Sequence, residues 1–181
     1  GLASSLGDVG TALVAMGDRF AGVRLQRDAL EMSRRLINDI GKSLDAMGDR
    51  AAGVALKREA LEITRRLWAG VDNQGLASSL GDVGTALVAM GDRAAGVRLQ
   101  RDALEMRLRL HYGVDHPDVA SSLDSVGASL EAIGERAAGF SMKKQALEMR
   151  RQLYPDVDHR DLASSLDSVG ASFEAIGTRT T

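Results

Sequence analysis

Residues 1–32, GLASSLGDVGTALVAMGDRFAGVRLQRDALEM, return at 75–106 with one change, Phe20 becoming Ala94. Near-identity over such a length marks internal duplication, and a duplicated unit points to a repeat architecture. The glycine of Asp-Val-Gly or Ser-Val-Gly, with Asp-Ile-Gly in the second unit, recurs at Gly10, Gly41, Gly84, Gly127 and Gly170. The last three intervals are 43 residues and the first is 31. Each unit holds two helical patterns. In the first, Val119, Leu123, Val126, Leu130 and Ile133 recur every three or four residues, one apolar stripe at helical period. In the second, Val97, Leu99, Ala103, Leu104, Met106 and Leu110 face neighbours. Glycines at 17, 48, 91, 134 and 177 fall where a helix end takes a left-handed residue. Alternating patterns are absent, so strands are not expected.

The composition agrees with a helical reading. The 181 residues are 44% hydrophobic and 27% charged with formal net charge −2, which excludes a global basic excess for nucleic acid or an anionic membrane. Six aromatics and two prolines leave a chain dominated by small and aliphatic residues. No cysteine is present, which removes disulfides and thiolate chemistry. With neither a membrane-length apolar run nor a signal-peptide pattern, a cytoplasmic location without a membrane partner is expected. The sequence starts at Gly1 without Met and stops after a fifth first helix, so it reads as an excised piece of a longer array or as one that self-associates through an end.

Several stretches invite a chemical reading. Asp115-His116-Pro117-Asp118 offers acids around a histidine, but Pro117 suits a first helical turn, Asp118 and Asp161 suit the helix dipole, and Asp115 or His116 can cap. The matching stretch at 72–74 is Asp-Asn-Gln, so capping is preferred and no metal site is expected. Gly41-Lys42-Ser43 lacks the upstream glycine of a phosphate loop. The recurring Gly-Asp-Arg at 17–19, 48–50 and 91–93, with Gly-Glu-Arg at 134–136, reads as turn and cap, its arginine tying adjacent hairpins. Arginines 24, 27, 34 and 35, and again 98, 101, 107 and 109, read as a solvated convex face. There Arg27–Glu31–Arg35, Arg58–Glu62–Arg66 and Arg101–Glu105–Arg109 would pair at i, i+4. No aromatics interleave to stack bases. The serines of Ala-Ser-Ser-Leu lack a positioned base, so no catalytic residue and no cofactor is expected.

The unit resembles a tetratricopeptide repeat (TPR) in the longer form of kinesin light chains. Gly127 and Gly134 of the first helix, Ala146 and Leu147 of the second, and the linker LHYGVDHPDVASSL from Leu110 to Leu123 carry the likeness. Glycine at 22, 53, 96 and 139, where the family usually has alanine, departs from it, as does the scarcity of aromatics. The resemblance implies one domain, a right-handed all-α solenoid of about nine helices in antiparallel hairpins. Its repeat units would span 1–36, 37–74, 75–116 and 117–159, followed by a terminal helix at 160–176. It also implies a non-catalytic protein–protein interaction module, with a partner peptide lying along a concave groove of first helices.

On the family pattern that groove reads Ser4, Gly7, Thr11, Val14, Ala15 in the first unit and Ser78, Gly81, Thr85, Val88, Ala89 in the third. The fourth gives Ser121, Asp124, Ala128, Glu131, Ala132, the fifth Ser164, Asp167, Ala171, Glu174, Ala175, and the second Arg35, Asn38, Lys42, Asp45, Ala46. The lining is small and polar and turns acidic toward the C-terminus, so a basic or neutral partner is expected there. The short interval leaves three readings: one helix through 21–47, a tight turn near Ile37–Asn38, or a linker missing from the sequence. A fused helix would expose apolar faces and favour a homo-oligomer, which makes a self-associating scaffold the alternative function.

Overall fold

The computed structural model describes residues 2–155 and 159–177, so residues 156–158 of the last linker lie outside the description. It is all-α, with α1 (Leu2–Ala15), α2 (Arg19–Ala46), α3 (Arg50–Leu67), α4 (Gln74–Ala89), α5 (Arg93–Leu110), α6 (Pro117–Ala132), α7 (Arg136–Leu153) and α8 (Arg160–Gly177). Eight helices stand where nine were expected among the described residues. The difference is α2, a single helix of 28 residues. Of the three readings of the short interval the fused helix is the one observed, and the boundary expected at 36/37 falls inside it. Leu25, Ala29, Met32, Leu36, Ile40 and Leu44 keep one helical period, and no proline interrupts them. Gly41 costs only about 1 kcal/mol in a helix interior, and here it is buried.

The chain forms two compact units, Gly1–Val71 and Asp72–Thr181. In the first, the N-terminal half of α2 pairs with α1 and its C-terminal half with α3. In the second, α4/α5 and α6/α7 are antiparallel hairpins, α6 stacks on α5, and α8 stacks on α7. The hairpins close through glycine. A Cβ at Gly96 would stand 2.6 Å from the carbonyl oxygen of Gly84, and one at Gly139 would stand 2.6 Å from that of Gly127. The glycines that depart from the family's alanine therefore set the distance at which paired helices cross, rather than changing the groove.

Local signals end the helices where expected. Gly17, Gly48, Gly91 and Gly134 take positive φ, and after Gly17, Gly48 and Gly134 the next residue's N–H bonds to the carbonyl five residues back, as Glu135 N–H does to Leu130 O at 2.9 Å. Gly177 is instead the last helical residue of α8. Asp18 and Asp49 cap α2 and α3 through the amides of Ala21 and Ala52, while Asp92 and Glu135 hold cap positions without a side-chain bond. The Arg136 guanidinium donates to Ala175 O at 3.1 Å, tying α7 to α8 as the turn arginine was expected to do.

The core of the second unit centres on α6. Val119, Ala120, Val126 and Leu130 are fully buried, packed with Val97, Leu104, Leu123 and Ala146. The first unit is less covered. Val9 is 52% exposed although its duplicate Val83 is 1% exposed, and Leu30 is 44% exposed against 8% for Leu104.

Candidate functional site

The linker chemistry resolves first. Pro117 opens α6, His116 is its N-cap, and the His116 Nδ1 accepts the Asp118 N–H at 3.1 Å. His159 does the same for Asp161 at 3.2 Å, and Asn73 caps α4. His111, His116 and Asp118 converge closely enough for their donor atoms to lie within 4.8 Å of one another. Yet the two imidazoles stack at 3.5 Å and 12°, so no ion can lie in both ring planes. One interval on, Tyr154 stacks on His159 at 3.7 Å and 7°. A phenol ring in the His111 position shows that the stack serves the linker, joining the end of one hairpin to the cap of the next.

The groove of the second unit is built from three helices. Positions 78, 81/82 and 85 share a face of α4, positions 121/122 and 125 a face of α6, and positions 100, 103 and 107 a face of α5, by helical spacing. Together they line a cleft of about 210 Å³. The structure thus brings Ser78, Thr85 and Ser121 together. Val88 is instead a packing residue, set against the core and covering Gly96. Ser164, Asp167 and Glu174 are exposed on α8. Asn38, Lys42 and Asp45 lie on the C-terminal half of α2 in the first unit, where exposed Lys42 stands 3.9 Å from Asp39.

Two expectations need correcting. The first is the acidic lining. Asp45, Asp124 and Glu131 are each paired with a cation from a second helix. Lys57 pairs with Asp45 and Arg150 with Asp124, while Lys143 meets Glu131 at 2.6 Å and also bonds Ser172 at 2.9 Å. Arg150 further donates to Ser165. These cations are buried, which a polar side chain tolerates only when partnered. Asp167 and Glu174 alone keep free charge: among the described residues no cation lies within ion-pair distance of either.

The second correction is the convex arginine face. Of the three expected i, i+4 runs, Glu31 does bond Arg35, but it also bonds Arg34. Arg27 lies over the Trp68 ring at 4.5 Å and donates to Leu67 O. Arg109 pairs with Asp72 at 2.7 Å. Arg107 is not on a solvated face at all. It is half-buried under the groove, donating to Ser122 and, at 3.4 Å, to Ser78. Burial holds its guanidinium below the usual arginine range, opposed by the longer-range charges of Asp118 and Asp82. Beside it, Gln100 donates to Thr85 at 3.0 Å. Gln100, Arg107, Lys143 and Arg150 were missed because a charged or amide side chain on a second helix reads as solvated.

Comparison with known proteins agrees with this geometry. A family model described as Tetratricopeptide repeat matches residues 2–39 and 76–118. No curated protein matches the sequence. Among solved structures, BtubC (BKLC) from P. vanneervenii is similar with a TM-score of 0.73 and 19% identity over 96% of this chain and 72% of its own. A Podosopora anserina chain of kinesin light chain type, with nearly identical TPR-like repeats, gives 0.67 and 14% over 98% and 88%. MamA gives 0.53 and 16% over 95% and 86%. At these identities the structures speak for the fold, while the family model speaks for the repeat: residues 2–39 and 76–118 are similar to tetratricopeptide repeats, within a chain that shares the all-α repeat fold of these structures.

Proposed function

We propose that this chain is a non-catalytic protein–protein interaction module that holds a segment of a partner protein against its first helices, without a cofactor. The observation that carries the reading is the polar cleft of the second unit, where Ser78 and Thr85 of α4 and Ser121 of α6 open to solvent above buried Gln100 and half-buried Arg107. A closed core would not keep hydrogen-bonding groups on an open face, whereas an extended segment can use them. On α8, the free carboxylates of Asp167 and Glu174 favour a basic or neutral stretch. A basic peptide pool is expected to shift the amides of Ser121, Ser164 and Glu174 in NMR spectra. The Asp167→Lys/Glu174→Lys variant should weaken that binding about tenfold, in line with the worth of close charge pairs. Unchanged affinity in the variant would sink the charge preference.

A second reading, a self-associating scaffold, has its own observation. Residues 2–15 and 76–89 have the same sequence, but the valine buried at 83 is open at 9. In the second unit α6 covers the apolar side of the α4/α5 hairpin. In the first, fusion into α2 carries the next first helix onward instead of folding it back, leaving Leu30, Leu36 and Ile40 exposed. A second copy supplies the matching helix by exchange. Size-exclusion chromatography with light scattering decides: a species of twice 19.2 kDa that persists on dilution supports exchange, and a monomer at all concentrations rejects it.

A further inference from the structure

The four hairpins contain the same two cross-helix positions, and comparing them exposes one mismatch. At the first, separated by twelve residues, Val14 corresponds to Gln26, Asp45 to Lys57, Val88 to Gln100 and Glu131 to Lys143. Wherever the first helix brings a carboxylate, the second brings a lysine that pairs with it. Wherever it brings valine, the second brings glutamine, which bonds Thr11 at 3.1 Å or Thr85 at 3.0 Å. Charge is matched in all four.

At the second position, separated by twenty-six residues, Gly7 corresponds to Ser33, Asn38 to Thr64, Gly81 to Arg107 and Asp124 to Arg150. Ser33 and Thr64 are uncharged and bond back to Ala29 O and Ala60 O of their own helices. Arg150 is neutralised by Asp124 and bonds Ser165. Arg107 bonds the equivalent serine, Ser122, but the residue that should neutralise it is Gly81. Among the described residues no carboxylate stands within ion-pair distance of Arg107, and its Nε is buried without a hydrogen-bond partner. The space left by the missing side chain is the cleft of about 210 Å³, bordered by Gly81, Ser78 and Ser121, with Asp82 also on its lining.

We propose that the cleft over Arg107 binds one carboxylate, carried on an acidic side chain of the partner segment, which takes the place on Arg107 that Asp124 takes on Arg150. This rests on the groove reading only for the source of the carboxylate. The guanidinium supplies charge-assisted donors, Ser78 and Ser121 supply hydroxyls at the rim, and partial desolvation strengthens the contact. Asp82, which itself lines the cleft, and Asp118 temper the local charge without pairing with Arg107. They select for a single negative charge over a doubly charged phosphate. The partner therefore presents an acidic residue to the α4/α6 groove and basic or neutral residues to α8.

The fold offers its own controls. A Cβ at Gly81 would meet only Ala103 Cβ, at 3.9 Å, so Gly81→Asp can insert the absent carboxylate. NMR titration of the full chain with N-acetyl-glutamate N-methylamide should give saturable shifts of the Arg107 Nε–H and the Ser78 and Ser122 amides. The glutamine analogue should bind at least about tenfold more weakly, equivalent to about 1.4 kcal/mol. Gly81→Asp and Arg107→Thr should abolish the effect, and Asp124→Gly should create a second one at the Arg150 Nε–H. Absence of saturable shifts at Arg107, or their persistence in Gly81→Asp, overturns the proposal, as does tighter binding of inorganic phosphate. Peptides that shift α6 and α8 but bind equally after Glu→Gln replacement overturn this site alone. Glutamate amide binding at Arg107, with no peptide shifting Ser164 or Glu174, supports the site and overturns the groove reading.

Discussion

Val9 and Val83 sit in identical local sequence, so truncating each to alanine isolates what tertiary packing contributes. Val83 is 1% exposed beside the core of the second unit, and Val9 is 52% exposed. Removing two methyl groups from full burial forfeits about 1.6 kcal/mol of transfer free energy, and the unfilled space adds roughly 1 kcal/mol. Val83→Ala should therefore cost about 2.5 kcal/mol. At Val9 about half the transfer free energy applies and no closed cavity forms, giving about 0.8 kcal/mol. Helix propensity changes equally in both, so the difference of about 1.7 kcal/mol reflects coverage alone. Urea denaturation followed by circular dichroism, with Trp68 fluorescence as a reporter confined to the first unit, measures both. Equal costs would refute the reasoning. Should the cost at Val9 rise with protein concentration, a second copy covers it in solution.

Three further outcomes follow from the same contacts. Gly96→Ala places a methyl group 2.6 Å from Gly84 O and should lower the melting temperature sharply, whereas Gly81→Ala meets nothing closer than 3.9 Å and should raise stability by about 0.5–1 kcal/mol through helix propensity. Lys143→Gln strands Glu131 and should cost about 2 kcal/mol, yet the double change Lys143→Gln/Glu131→Val copies Gln100 and Val88 and should recover most of it; additive costs in the double-mutant cycle would contradict the pairing. The Arg109 guanidinium holds the Asp72 carboxyl below the usual aspartate range. Its folded pKa being depressed, the pair's stabilisation is present above the unfolded value and lost as pH falls through the folded one. Carboxyl-detected NMR should show Asp72 titrating at the ordinary aspartate position in Arg109→Ala, and an unmoved midpoint would exclude this pair as the cause.

The helices, their caps and their repetition were legible in the sequence because each depends on residues within one or two turns of one another. Three- and four-residue spacing writes the apolar stripe, glycine writes the left-handed end, and Pro117 with His116 writes the start of α6. Even the fused α2 was visible as one of three readings, since an unbroken apolar period without proline is a local property. The cross-helix pairs were not read, although their signal was present: glutamine accompanies valine and threonine, and lysine accompanies an acid, at a fixed separation in every unit. Read singly, those cations belong to a wet surface, and only the hairpin crossing at Gly84 and Gly96 puts them beneath the groove. Burial lay further out of reach. Residues 1–32 and 75–106 dictate the same two helices, yet α6 covers one copy, while the other carries its continuation away as α2 and stays open. Secondary structure follows from neighbours along the chain, whereas burial follows from which distant helix arrives to exclude water, and identical segments inherit that from different surroundings.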